Sequence, residues 1–148
     1  MPTINVVIGP PCAGKSTLAW GKRSPDDVIV DADKIAHALG SMLSHGSSGS
    51  IKKLTQRVRQ SAINGVLDGI EHDAWIIHTR PGDLAIRRYI EASAVFHLVD
   101  PGLEECLERA RRDGRPEGTE QVIRDWYESP PDLDPTSSEK RVNVMVSR

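Results

Sequence analysis

The 148 residues and 38% hydrophobic content suffice for one buried core, so a single domain over residues 1–148 is expected and a multidomain motor is excluded. A formal net charge of −2 excludes a protein that coats nucleic acid non-specifically. Cys12 and Cys106 lie far apart, the first residues show no basic-then-apolar signal pattern, and no apolar run reaches membrane-spanning length, which together predict a reduced, cytoplasmic protein with no membrane partner.

In chain order, β-branched runs alternate with helical patterns, the mark of βαβ units and a mostly parallel sheet in an α/β fold. The first predicted strand, Ile4–Ile8, runs into "GPPCAGKST" and then into residues suited to a helix. Gly9, Gly14, Lys15 and Ser16 complete the pattern G-x-x-x-x-G-K-[ST] in the strand–loop–helix context that the motif requires. Such a loop, here Gly9, Pro10, Pro11, Cys12, Ala13 and Gly14, curls so that its backbone N–H groups point inward, and the positive end of the following helix adds to their field. Phosphate suits that cradle, so ATP is the expected ligand. Lys15 would reach the β- and γ-phosphates as a catalytic cation, the Ser16 hydroxyl would help to hold Mg²⁺, and Thr17 would meet the α-phosphate.

The second strand, Val28–Val30, ends at Asp31 and Asp33, ahead of a predicted helix Lys34–Leu39. Carboxylates past a strand's C-terminal end lie on the edge where doubly wound sheets bind ligands. Either one fits as the base that takes a proton from an attacking hydroxyl, with Asp33 ahead of Asp31, and either one fits as a helix cap. A loosely structured stretch, Gly40–Ser50, comes next. The spacing of Ile51, Leu54, Val58, Ala62, Ile63, Val66, Leu67 and Ile70 predicts an amphipathic helix over Ile51–Ile70 capped by Ser50, with Lys52, Lys53, Arg57 and Arg59 on a solvated or ligand-facing side.

A third strand is predicted at Trp75–His78 and a fourth at Val95–Val99, followed by "DPGLEECLERARRDGRPEG". Asp100 reads as the cap of a helix rich in Glu at its start and in Arg at its end: Arg109, Arg111, Arg112, then Arg115. Arginines gathered at one helix end fit a lid over ATP that neutralises charge developing in phosphoryl transfer. Ser129–Ser138 reads as loose, and Val142–Val146 as a fifth strand.

These three stretches resemble the small P-loop kinases of the polynucleotide-kinase type. The resemblance implies a P-loop NTPase fold, a kinase-like three-layer sandwich with a parallel sheet of order 2-3-1-4-5, and an arginine-bearing lid at about 109–118. It implies Lys15 and Ser16 as the P-loop pair, Asp33 as general base, Arg109 as the first lid arginine on the nucleotide, and Arg112 as the second, with Arg111 and Arg115 as substitutes. The family's acceptor arginine, three residues after the base, is replaced by Ala36. In the phage polynucleotide kinase of this type an Asp-Thr-Asn stretch follows the third strand, and here the chain reads "HTRPGD", so Thr79 and Arg80 become the candidate replacements, Arg80 as the acceptor cation, alongside Asp31 and Asp33. The implied activity is transfer of the γ-phosphoryl group of ATP, with Mg²⁺, to a hydroxyl of a nucleic-acid 5′ end or a nucleoside-like molecule. A small-metabolite kinase and a nucleotide-binding regulatory protein are the alternatives.

Overall fold

The computed structural model describes residues 1–133 and 143–147. In chain order it contains β1 (Ile4–Ile8), α1 (Lys15–Lys22), β2 (Val28–Val30), α2 (Ala32–Ala38), α3 (Gly49–Asp68), β3 (Ala74–His78), α4 (Asp83–Glu91), β4 (Val95–Val99), α5 (Leu103–Arg112), α6 (Thr119–Glu128) and β5 (Asn143–Ser147). The five strands form one parallel sheet in the order β2-β3-β1-β4-β5. Both the implied order and the α/β class agree with this. Residues 134–138 of the stretch expected to be loose, and position 142 of the last expected strand, lie outside the described residues.

β1 is central, and consecutive side chains of a strand point to opposite faces. Val6 and Ile8 accordingly join Val30, Ile76 and Phe96 on one face, beneath Ile63 and Val66 of α3, Ile86, Tyr89 and Ile90 of α4, and Trp126 of α6. Val7 joins Trp75 and Val99 on the other, beneath Ala19 of α1, Cys106, Leu107 and Ala110 of α5, and Ile123 of α6. Burial on both faces explains why β1 reads as an unbroken apolar run apart from Asn5. The Asn5 side chain is satisfied in the sheet: Oδ1 lies 2.8 Å from His97 Nε2 and Nδ2 donates to the Ala74 carbonyl at 3.3 Å.

Three helix starts differ from the sequence expectation. α2 begins at Ala32 because Asp31 accepts the Asp33 N–H at 3.1 Å and acts as its cap. α3 runs Gly49–Asp68 from Ser48, and its first half turns Thr55 inward while Leu54 and Val58 stay 46% and 43% exposed, the reverse of the expected apolar stripe. α5 starts at Leu103 after Gly102, and Asp100 stabilises the turn before it, accepting from Gly102 N–H (3.2 Å) and the Tyr127 hydroxyl (2.8 Å).

Ile76, with no exposure, packs at the middle of the sheet. Ile76→Ala is expected to lower unfolding stability by about 2–5 kcal/mol, whereas Leu84→Ala, on the exposed side of α4, stays within about 0.5 kcal/mol. Urea denaturation of the two variants measures the difference.

Candidate active site

In an open parallel sheet the ligand crevice lies beyond the strands' C-terminal ends, where successive connections leave in opposite directions. β1 lies between β3 and β4, so the loop after β1 occupies that crevice. Close approach is built in at Gly9: a Cβ there would lie 2.6 Å from the Val99 carbonyl oxygen, so any side chain would push β1 away from β4. Gly14 has φ +98°, a left-handed conformation that favours glycine, and Cys12 holds φ 65°. Lys15 then begins α1, its Nζ donating to the carbonyls of Gly9 (2.9 Å) and Pro10 (2.7 Å). The ammonium thus lies across the mouth of its own loop.

Burial pushes the Lys15 ammonium down to about 8, with Arg115 lowering it further and Cys106, Cys12 and Asp33 opposing the shift. The same desolvation raises the Cys12 thiol, against the pull of Arg115, Lys15 and Arg109. Cys12 is therefore a protonated spectator in the loop.

One cleft of about 470 Å³ joins this loop to the β2 and β3 ends; its walls include Lys15, Ser16, Asp31, Asp33, Arg59 and Arg115. Asp31 is only 4% exposed, and its carboxylate accepts from Ser16 Oγ (3.2 Å), Trp20 Nε1 (3.0 Å) and Asp33 N–H. Asp33 is half-buried and points the other way, taking the Gly46 N–H on Oδ1 (3.1 Å) and His45 Nδ1 on Oδ2 (3.3 Å). The two aspartates divide the work: Asp31 braces Ser16 and the start of α2, while Asp33 is accessible from the cleft.

The arginines after β4 separate clearly. Arg109 fastens α5 to the loop, its Nη1 donating to the carbonyls of Cys12 (3.2 Å) and Ala13 (3.3 Å) while Nε pairs with Glu105 (3.0 Å). Arg111 turns to Glu120 at 2.9 Å, and exposed Arg112 lies beside Asp113 at 3.4 Å. Arg112 and Arg109 border a second groove of about 680 Å³, floored by Gly14, Thr17 and Leu18. Arg115 belongs to the walls of both cavities, and its Nε is buried without a hydrogen-bond partner among the described residues. By position, Arg115 is nearer the phosphate loop's cleft than Arg112.

Arg80 also lines the cleft, but its guanidinium is engaged by the C-terminal carbonyls of α6, those of Ser129 and Asp125 (the latter at 3.1 Å). Trp126 Nε1 donates to the Thr79 carbonyl at 2.8 Å and fixes the same junction. Four contributors escaped the sequence reading: Trp20, His45, His78 as a cleft residue, and Arg59 as a group apart from Lys52, Lys53 and Arg57, none of which lines the cleft. A signal for Arg59 exists, since it stands four residues after Thr55 and four before Ile63, both buried.

Among the described residues no group of three His, Cys, Asp or Glu side chains is placed to hold a metal ion, and no helix is long and apolar enough to cross a membrane.

By sequence the chain matches no family model and no curated protein. Its fold does have solved counterparts. A chain of the Pnkp1/Rnl/Hen1 RNA repair complex superposes with TM-score 0.61 at 18% identity, over 92% of this chain and 50% of that one, so this chain spans half of that protein's length. Shikimate kinase from Acinetobacter baumannii, in complex with shikimate, gives TM-score 0.59 at 16% identity over 100% and 85% of the two chains. A sugar kinase from Janibacter sp. HTCC2649 gives 0.57 at 15% identity over 99% and 85%. At these identities the likeness establishes the fold alone, the parallel α/β sandwich that these proteins share.

An oxyanion seated in the loop stabilises the charged form of Lys15, whose own value in the free protein is about 8. Binding of such an anion is therefore expected to take up close to no protons at Lys15 at pH 6 and approaching about one between pH 8 and 10, with affinity falling as pH rises through that window. Calorimetry in buffers of different ionisation enthalpy reads the uptake, and Lys15→Met should abolish it.

Proposed function

We propose that the chain is an ATP-dependent phosphotransferase that moves the γ-phosphoryl group to a hydroxyl. The observation that carries this reading is that a phosphate-type loop with a buried lysine and an accessible aspartate border one cleft. The ATP phosphates would rest in Gly9–Thr17, with Lys15 turning from the loop carbonyls to the β- and γ-phosphates, and the nucleoside would lie along the groove of Leu18, Arg109 and Arg112. Mg²⁺ fits the oxygen donors present, the Ser16 hydroxyl and the Asp31 carboxylate behind it, and would supply neutralisation of phosphate charge. With no cage of protein ligands, the nucleotide itself would provide most of its coordination.

In transfer, Asp33 takes the proton of the acceptor hydroxyl as the new oxygen–phosphorus bond forms and the bond to the ADP oxygen breaks. His45 and the Gly46 N–H hold the carboxylate in place for this step. Arg115 is the better second lid arginine than Arg112, because its buried, unpartnered Nε faces the loop's surroundings and a phosphoryl oxygen would satisfy it. Residues 109–118 form the lid in this reading, within a single domain over 1–148. Soluble, cytoplasmic action is consistent with substrates of this kind.

The acceptor is a nucleic-acid 5′ end, a nucleoside-like molecule or a small metabolite. Two observations favour the small molecule: Lys52, Lys53 and Arg57 remain exposed and away from the cleft, and Arg80 is tied to α6, so among the described residues these cations form no row leading outward for a polynucleotide to follow.

Incubation with γ-labelled ATP and a panel of oligonucleotides, nucleosides, sugars and hydroxy acids tests the assignment, with label expected on a small molecule. Preferred labelling of oligonucleotide 5′ ends, weakening steeply with salt, would overturn the acceptor preference, and retention of normal transfer in Lys15→Met would overturn the kinase reading.

Asp33→Asn should keep the fold and ATP binding and lower kcat by about a hundredfold or more, whereas Arg115→Ala should lower kcat more than it raises the ATP KM. Steady-state kinetics of the two variants separates base from lid. Equal ATP KM and kcat losses in Arg115→Ala would assign that arginine to ground-state binding.

A further inference from the structure

The cleft carries two separate sets of cations. Arg115 acts electrostatically on Cys12 and Lys15 at the phosphate loop, and Arg109 on Cys12. Arg59, reaching in from α3, acts on His78 and Tyr89 at the β3 end. Its Nη2 donates to the Ile77 carbonyl at 3.1 Å, and none of the ion pairs among the described residues includes it. A half-buried guanidinium held by one carbonyl keeps most of its five N–H donors for another acceptor, and a buried charge without a counter-ion is costly. The α3 sequence places it there deliberately, on the line of Thr55 and Ile63, where an apolar residue would otherwise pack.

The neighbours of Arg59 on the cleft wall are donors as well. Burial, helped by Arg59, pushes the His78 imidazole down to about 3, so it is neutral at physiological pH. The buried Tyr89 hydroxyl meets His78 Nδ1 at 3.1 Å. Either tautomer satisfies this contact, and the one in which Nδ1 accepts from the hydroxyl leaves the N–H of the neutral ring on Nε2. The Thr79 side chain adds a hydroxyl to the same wall. Asp33, the accessible carboxylate of the cleft among the described residues, is already bonded to His45 and Gly46 and does not pair with Arg59.

We propose that Arg59, His78 and Thr79 form an oxyanion subsite for the phosphoryl acceptor, so that the acceptor carries a carboxylate or phosphate near the hydroxyl it presents to Asp33. This deepens the kinase reading and rests on it for the identity of the ligand. The subsite is distinct from the phosphate loop because its charge comes from Arg59 of α3 and its other donors from the β3 end. It supplies from the other side of the cleft the cation that Ala36 cannot provide and that Arg80 has committed to α6.

The test is to fill the loop with a non-hydrolysable ATP analogue and Mg²⁺, then titrate with inorganic phosphate and, separately, with glycolate, following the His78 ring signals by NMR. At least one of the two anions is expected to bind while the analogue stays bound, to move those signals, and to bind about tenfold or more weakly to Arg59→Gln. Arg59→Lys, which keeps the charge but not the fork, should fall between, and Lys52→Gln should match the unaltered protein. Binding of phosphate alone would mark the acceptor as a phosphate ester, and binding of glycolate alone would mark it as a hydroxy acid; either result supports the subsite. Failure of both anions to bind, equal binding to Arg59→Gln, or a loss in that variant of analogue affinity instead would overturn it, the last by assigning Arg59 to the γ-phosphate. Failure of the analogue itself to bind the unaltered protein would sink the kinase reading, and the same anion titration without it would still report on Arg59.

Discussion

The cleft depends on how closely the end of β1 is pressed against the end of β4. Only hydrogen at position 9 allows the Val99 carbonyl to come so near, and that contact sets where the chain leaves the sheet. From there the path is constrained: two prolines, a left-handed Cys12, a left-handed Gly14 and the first turn of α1 bring Lys15 back over the carbonyls that precede it. Such a turn holds several backbone N–H groups in one direction without asking side chains to do so. The outward half of the loop is then secured by Arg109, whose bonds to the Cys12 and Ala13 carbonyls tie α5 to it. Sheet, loop and α5 are one mechanical unit.

Around that unit the ionisable groups are arranged by burial more than by pairing. Lys15 is kept partly neutralisable by desolvation, and His78 wholly neutral, while Asp31 stays in place through three hydrogen bonds and no ion pair. The ion pairs that do occur among the described residues are all partly exposed and on the order of 1 kcal/mol or less each. The site therefore owes little to salt bridges and much to donors pointed at a region that anions can enter.

The sequence made some of this legible and concealed the rest for identifiable reasons. β1, β2 and β4 are bounded where their apolar runs begin and end; in β1 and β4 this follows from burial on both faces, which makes a strand mostly apolar. The phosphate loop was readable because its spacing is dictated by a ligand of fixed size. The phase of α3 was not. Leu54 and Val58 look like core residues and Thr55 and Arg59 look like surface ones, yet the helix presents the polar pair inward since it borders a cleft at that end and the core only further on. Periodicity assumes that the buried side of a helix is apolar throughout, and a helix that crosses from core to site breaks the assumption. Arg80 shows the converse difficulty. A sequence displays its charge but not the α6 carbonyls that absorb it, since those arrive from residues 45 and 49 positions away.

That clamp at the end of α6 has a mechanical meaning. The helix begins just after the turn of residues 115–118, which carries Arg115, and ends where Arg80 and Trp126 fasten it to the strand-end segment at Thr79. Ten helical residues make a strut about 15 Å long, stiff along its axis. A displacement of the turn at one end is delivered to the β3 segment at the other, so the two halves of the cleft do not settle independently. Whatever draws the Arg115 turn inward is passed along α6 to the cleft wall at Thr79.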